Sequence, residues 1–546
     1  VPNTDVRSCA ILKIEQGSAL DIGFNPACNF ALVLSHPNGN GNLRLTTNYN
    51  SPSTYQFPAG DYSDFNVNLG TTELYTTNPT AGTTYYLPNG ITEYGNLILS
   101  PRGGSNIIFP NNNLLIYGNL TTRGQNADSW FCPVWNTNYP TPPTVRIAKT
   151  ITVNGNMNIQ GGALVWYGGG ALLQTFVVKG NVFVNTASAI DNWDASAASM
   201  YIGGSLTNNT TGATGGGIVT PRECDFRNIP LTFNGSGTAS VTNTANTPIT
   251  RFGQVTIDKG SSQTDSLIIS IGGTLTTPVN NWLTLRNGTL VYRRTNPSSD
   301  FTISTTTSFV IPETAGLYID YPNNSGNRNI LIANAAVNNN DLMLNGKLTI
   351  KAGNVYVGPT NGTTNNNNDI EYSGDGNSTI VINGGRLFVN GQIRRSTATT
   401  TGILKYYQTG GDVTINGQGT DATSVTRAKL EVVNSGSVFN MSSGTITIVQ
   451  GGGTSFGDLY LRPASSSVTG GEIIFTQTPA YWATIDAAQN YRMDVNIALN
   501  HLTVTGKVSG TARTATVNLM VNPLILNGSL TLTNNQSYLV ANNLDV

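Results

Sequence analysis

A short unit recurs along this sequence: glycine, a small polar residue, an apolar residue, then alternation. It stands at Gly118-Asn119-Leu120, Gly155-Asn156-Met157, Gly180-Asn181-Val182 and Gly204-Ser205-Leu206. It returns at Gly273-Thr274-Leu275, Gly288-Thr289-Leu290, Gly346-Lys347-Leu348, Gly385-Arg386-Leu387, Gly444-Thr445-Ile446 and Gly528-Ser529-Leu530. Alternation over four to six positions makes a strand with one buried face, as Leu283, Leu285, Leu290 and Tyr292 illustrate. Asn-Gly and Gly-Gly supply the positive φ that turns the chain between strands. Hairpins use the same turns, so the period alone leaves a sandwich or meander open. Two features favour coils. The unit continues through nearly the whole chain without a segment resembling a linker, and asparagine runs recur at Asn338–Asn340 and Asn365–Asn368. Stacked asparagines form hydrogen-bonded ladders.

The expected fold is therefore all-β with negligible helix: one continuous parallel β-helix (a β-solenoid) over residues 1–546, with loop insertions. At roughly 20–25 residues per coil it would make on the order of 25 coils. Leu120, Met157, Leu206, Leu275, Leu290, Leu348, Leu387 and Leu530 share one offset from the turn and are expected in the core. The strand-and-turn pattern runs up to Val546, and solenoids normally end in an atypical cap, so a fragment of a longer chain is expected.

Composition narrows the function classes. Charged residues are 10% of the chain and net charge is −1, from 28 basic and 29 acidic residues. Arg293-Arg294 and Arg394-Arg395 are too small a basic footprint for nucleic acid. No apolar run is long enough to span a membrane as a helix. Hydrophobic residues at 38% are sufficient for a core, which argues against disorder.

One stretch breaks the pattern. Residues 124–144 crowd Trp130, Phe131, Trp135 and Tyr139 among Pro133, Pro140, Pro142 and Pro143. Proline cannot donate to a ladder, so an aromatic, proline-rich loop insertion is expected there, packing its rings on a neighbouring face with Cys132 close by. Two smaller irregularities carry Trp193 and Tyr481-Trp482.

The phrases at 94–120, 231–244, 252–262, 405–419 and above all 436–453 (GSVFNMSSGTITIVQGGG) resemble repetitive β-helical surface proteins of Bacteroidota. These are exported by the type IX secretion system and include gliding-motility adhesins of the SprB kind. The resemblance covers nearly the whole chain. It implies a secreted protein attached to the cell surface. Its partners would be surface polysaccharide, other surface proteins and the secretion and gliding machinery. Family members carry a C-terminal export domain, and no such domain is legible here, which again points to a fragment. Asp265-Ser266-Leu267 resembles the site at which Bacteroidota proteins are O-glycosylated, on Ser266; an ordinary turn into a strand reads the same way.

Candidate chemistry is sparse. Exposed rings of Trp130, Trp135, Tyr139 and Trp193 would stack on sugars or on a partner; the alternative is packing against the solenoid. Asp369 and Glu371 alternate, share a strand face, and with Asp375 would offer oxygen ligands to Ca²⁺; the alternative is a solvated turn. Cys9 and Cys28 are spaced to bridge adjacent coils as a disulfide, or remain free. Asp61 with Asp64 and Asp191 with Asp194 are the other local acidic groups. His36 and His501 lie far apart without a nucleophile motif, and Gly215–Gly217 and Gly451–Gly453 lack the ending of a phosphate loop. The charges read as too dispersed to perturb one another. No catalytic residues and no cofactor are expected, and the first reading is a non-catalytic adhesin or stalk segment. A carbohydrate-active or carbohydrate-binding β-helix and a subunit of an extracellular fibre or layer are the rivals.

Overall fold

The computed structural model describes residues 12–23, 34–35, 41–46, 57–58, 60–77, 83–88, 90–124, 129–134, 147–212, 222–244, 247–294, 299–321, 328–335, 340–360, 368–373, 377–399, 401–417, 427–451, 457–476, 488–507 and 512–546. It is a parallel β-solenoid of about 15 turns, carried by two compact units. Val1–Asp258 with Ile269–Thr277 form the first, Lys259–Ile268 with Pro278–Val546 the second. Among the described residues the one helix is the short Ser63–Val67. Every strand pair with a described register is parallel, for example Met157–Ile159 on Val182–Val184 and Val355 on Leu387. That excludes hairpins as the main pairing.

In the first unit each turn lays down three short strands, one per face. Lys149–Val153 is followed by Met157–Trp166, whose two ends serve two faces. Gly162, at φ 81°, makes the corner between them. The next turn repeats the order with Gln174–Val178, Val182–Val184 and Ser188–Asn192. Leu97, Leu120, Met157, Val182, Leu206 and Val241 stack in register, each at most 1% exposed. One such column is a continuous apolar seam, and truncating one of its Leu or Met side chains to alanine costs about 2–5 kcal/mol.

Beside this seam runs an asparagine ladder. The side-chain oxygen of Asn96 accepts the N–H of Asn119, Asn119 that of Asn156, Asn156 that of Asn181, and Asn181 that of Ser205, all at 2.7–2.8 Å. Ser205 Oγ continues it to the N–H of Ser240 at 3.0 Å. The sequence separations of the five steps are 23, 37, 25, 24 and 35. Three of the steps, 23, 25 and 24, fall within the expected 20–25 residues and two, 37 and 35, exceed it, so coil length is irregular rather than fixed. The turns number about 15 rather than the expected roughly 25. Ladder asparagines sit within the recurring unit rather than in the asparagine runs. Of the runs, Asn340 and Asn368 are described, and Asn368 Nδ2 donates to the carbonyl of Asn340 at 3.0 Å.

The glycine of the recurring unit has two distinct roles. Gly273, Gly288, Gly385 and Gly444 take positive φ, as expected. Gly155, Gly180 and Gly204 do not; there a Cβ would stand 2.5–2.8 Å from the carbonyl oxygen of the preceding coil's glycine. Their role is close approach between coils.

Seven of the eight expected core residues are buried; Leu530 is 37% exposed. Its register is right, since it pairs with Leu502, but among the described residues no strand covers its other side. Residues 130–132 correct the expected insertion. Trp130–Cys132 is a ladder strand, paired with Ile107–Ile108 on one side and Ala163–Leu164 on the other. The three residues precede Pro133, so none lacks the N–H a ladder needs. Residues 125–128 and 135–146 lie outside the described set.

The second unit follows the same three-faced plan. One of its seams runs Phe309, Leu342, Ile370, Ile393, Leu430, Leu459, Met493, Leu519. Alternation sends the residues on either side of each to the opposite face of that sheet, and there the charges gather.

Candidate functional site

On that face a second ladder uses carboxylates. Ser308 Oγ accepts the N–H of Asp341 at 2.9 Å, Asp341 Oδ1 that of Asp369 at 2.8 Å, and Asp369 Oδ1 that of Gln392 at 2.6 Å. The other oxygen of Asp369 lies 2.8 Å from Arg394 Nε, and Glu371 Oε1 lies 3.3 Å from Arg394 Nη2. Asp369 and Glu371 do share a face, as their spacing implies. The cation between them is Arg394 of the next coil, aligned with Glu371 in the ladder. A calcium ion would have to displace that guanidinium and break the Gln392 hydrogen bond, so the expected metal trio gives way to an ion-pair network. Asp375 lies outside the described residues.

Further along the face, Glu431 accepts four donors. Its Oε2 meets Arg395 Nε at 2.8 Å and the Arg395 N–H at 3.1 Å; its Oε1 meets Arg427 Nε at 2.9 Å and the Ala428 N–H at 2.7 Å. Tyr372 donates to the Glu431 carbonyl at 3.0 Å. Lys429 and Asp458 form a pair at 3.1 Å, and Asp494 lies 3.3 Å from Arg462. These groups are not dispersed. Burial pushes the Asp369 carboxyl up to about 7, against the pull of Arg394, and raises Glu371 and Asp341 as well. Separated in the sequence by loops of unequal length, they are brought together by coil stacking.

A smaller acidic cluster lies in the first unit. Asp191 is pushed up to about 7, first by burial and then by the charge of Asp225. Asp225 is bound by Arg227 Nε at 2.9 Å, and Glu223 by Arg251 Nε at 2.9 Å. The pairing of Asp191 with Asp194 fails. Asp194 turns away to accept the Gly168 N–H at 2.6 Å and the Ser196 hydroxyl at 2.5 Å, tying a turn together.

The aromatic residues divide. Trp130 is buried in a cluster with Tyr86, Ile108, Cys132, Ala163, Val165 and Ala189, with Tyr167 against it. Cys132 belongs to the same buried cluster, as a member of the ladder strand and not at the expected docking contact of a loop. Its thiol and that of Cys224 are free and pushed up by burial, which makes them inert. Trp193 stands over Trp130 with ring centroids 5.7 Å apart and is 47% exposed. Trp135, Tyr139, Trp482, Cys9, Cys28 and His36 lie outside the described residues. Ser266 opens the strand Ser266–Ile269 and is half-buried.

Lys149 is a residue the sequence does not single out. It is buried, donates to the carbonyls of Phe109 and Pro110 at 3.2 and 2.5 Å, and is driven down to about 7 by desolvation. Its signal, one lysine at the start of an alternating strand, is indistinguishable from a solvated one. Among the described residues no group of three or more His, Cys, Asp or Glu side chains is arranged to hold a metal. Compared with protein-family models, curated proteins and solved structures, the chain matches none.

Proposed function

We propose that this chain is a non-catalytic structural and adhesive segment of a secreted bacterial surface protein. One observation carries the reading: the buried carboxylates of the charged face are engaged by arginine, lysine or backbone N–H. Asp369 and Glu371 meet Arg394, and Glu431 meets Arg395 and Arg427. Hydrolysis of glycans requires a pair of carboxylates open to substrate, one to donate a proton and one to attack or activate water. Here the carboxylates hold one coil to the next. The parallel solenoid and the sequence resemblance support display on a cell surface, with export by the type IX system and coupling to gliding as the implied partners.

Two measurements test it. Incubation with a panel of soluble polysaccharides is expected to release no new reducing ends; release that disappears on Asp369→Asn would overturn the non-catalytic reading. Antibody against the chain is expected to label intact source cells, and labelling confined to permeabilised cells would overturn the surface assignment.

The half-exposed Trp193 ring favours a second reading alongside the first, contact with surface glycan. On a glycan array, Trp193→Ala is expected to reduce retention while leaving the melting temperature unchanged. Unchanged retention would remove Trp193 from the binding surface.

A further inference from the structure

Lys429 and Asp458 face each other across one step of the ladder in the second unit. The pairing aligns Ala428 with Gly457 and Leu430 with Leu459, which sets position 429 opposite position 458. Both side chains are 0% exposed, and Lys429 Nζ lies 3.1 Å from Asp458 Oδ1. Asp458 meets this ammonium as a close counter-charge, and among the described residues no hydrogen bond satisfies the ammonium. An ammonium carries three donors, and burying one against a single carboxylate leaves most of its lost hydration unreplaced. Burial lowers the proton affinity of Lys429, with the charge of Asp458 pulling the other way. Moving one proton from Nζ to Oδ1 turns the ion pair into a neutral amine beside a carboxylic acid, the forms that a dry interior favours.

The second oxygen of Asp458 is also held. Oδ2 accepts the backbone N–H of Arg492 at 2.8 Å. When an amine adds to the carboxyl carbon, negative charge develops on this oxygen, and a fixed N–H aimed at it stabilises that charge. Nucleophile, electrophile and donor are thus positioned by three successive coils.

We propose that Lys429 and Asp458 condense into an intramolecular isopeptide bond. The Nζ–Cγ bond forms and the Cγ–Oδ1 bond breaks. Oδ1 leaves as water, carrying the proton first received from the ammonium and a second released by the nitrogen. Oδ2 remains as the amide carbonyl on the Arg492 N–H. Atoms and charge balance without an oxidant, a reductant or a co-reactant. The product replaces a buried ion pair with a neutral amide and joins two neighbouring coils covalently.

The other ion pairs of this unit differ in kind. Arg394, Arg395 and Arg427 present guanidinium groups, which stay charged and are poor nucleophiles. Lys351 approaches Asp320 at 3.3 Å, but it is 54% exposed and shares that carboxylate with Arg293.

Mass spectrometry of the full-length, denatured chain tests the proposal. The expected mass is one water below that calculated for the unlinked chain. A proteolytic map is expected to contain a branched peptide joining the segments around Lys429 and Asp458, with no tryptic cleavage after Lys429. Lys429→Met and Asp458→Ala should restore the full mass. Asp458→Asn should end at the same mass as the linked wild type, because attack on the carboxamide expels ammonia and yields the identical amide. The map of the wild-type protein decides the matter whether or not the variants fold. An unbranched map, or a water loss located elsewhere, overturns the proposal.

Discussion

Arg394 shows how much one side chain can carry in a stacked fold. It is the shared counter-ion of Asp369 and Glu371, and removing it strands one buried and one half-buried carboxylate. Breaking a buried network from one side costs about 3–5 kcal/mol. Arg394→Met is therefore expected to lower the thermal midpoint clearly, and Arg394→Lys to recover part of the loss. A midpoint unchanged in Arg394→Met would mean that the network is hydrated. Asp191 gives a pH dependence. Its folded-state value of about 7 stands above the ordinary carboxylate value of about 4. Between those values the folded chain holds a proton that the unfolded chain has released, so Asp191's contribution makes stability fall as pH rises from about 4 to about 7. Asp191→Asn removes that contribution. Thermal melts are expected to show it more stable than wild type at pH 8 and equal to it at pH 4.

At the scale of the element, the recurring glycine is the part of the fold most legible in the sequence. The offset from glycine to the buried apolar residue holds at Leu120, Met157, Leu206 and Leu348, because alternation fixes the face once the turn is placed. The reason for the glycine was only half legible. Positive φ and close coil approach select the same residue, and one sequence cannot separate them. Substitution can. Gly180→Ala would set a Cβ 2.5 Å from the Gly155 carbonyl oxygen and is expected to destabilise the first unit although φ there is not positive. Asn156→Ala removes the acceptor of the Asn181 N–H and should cost about 1 kcal/mol. Equal melting temperatures for wild type and both variants would show that the ladder adds nothing. The charged face was not legible. Asp369 and Glu371 were visible as a local pair, but Arg394, Glu431 and Lys429 come from other coils. Unequal loops between coils leave no fixed period by which to align them. The strand at Trp130–Cys132 was hidden for a related reason: the prolines around it dominate the pattern, while its pairing partners are remote.

For the molecule as a whole, the uneven coil lengths bear on how it gives way when pulled. A parallel ladder held by one neighbour on each side yields by peeling, one coil at a time. Each detached coil adds its own length of slack. Steps of 23 to 37 residues correspond to about 80–130 Å of released contour at ~3.5 Å per residue. The first unit, stretched in an atomic force microscope, is therefore expected to lengthen in unequal increments following the order 23, 37, 25, 24, 35 or its reverse. A solenoid with identical repeats would give a uniform sawtooth. This chain writes its loop lengths into the force trace, and a single rupture releasing the whole unit at once would show that the coils fail together.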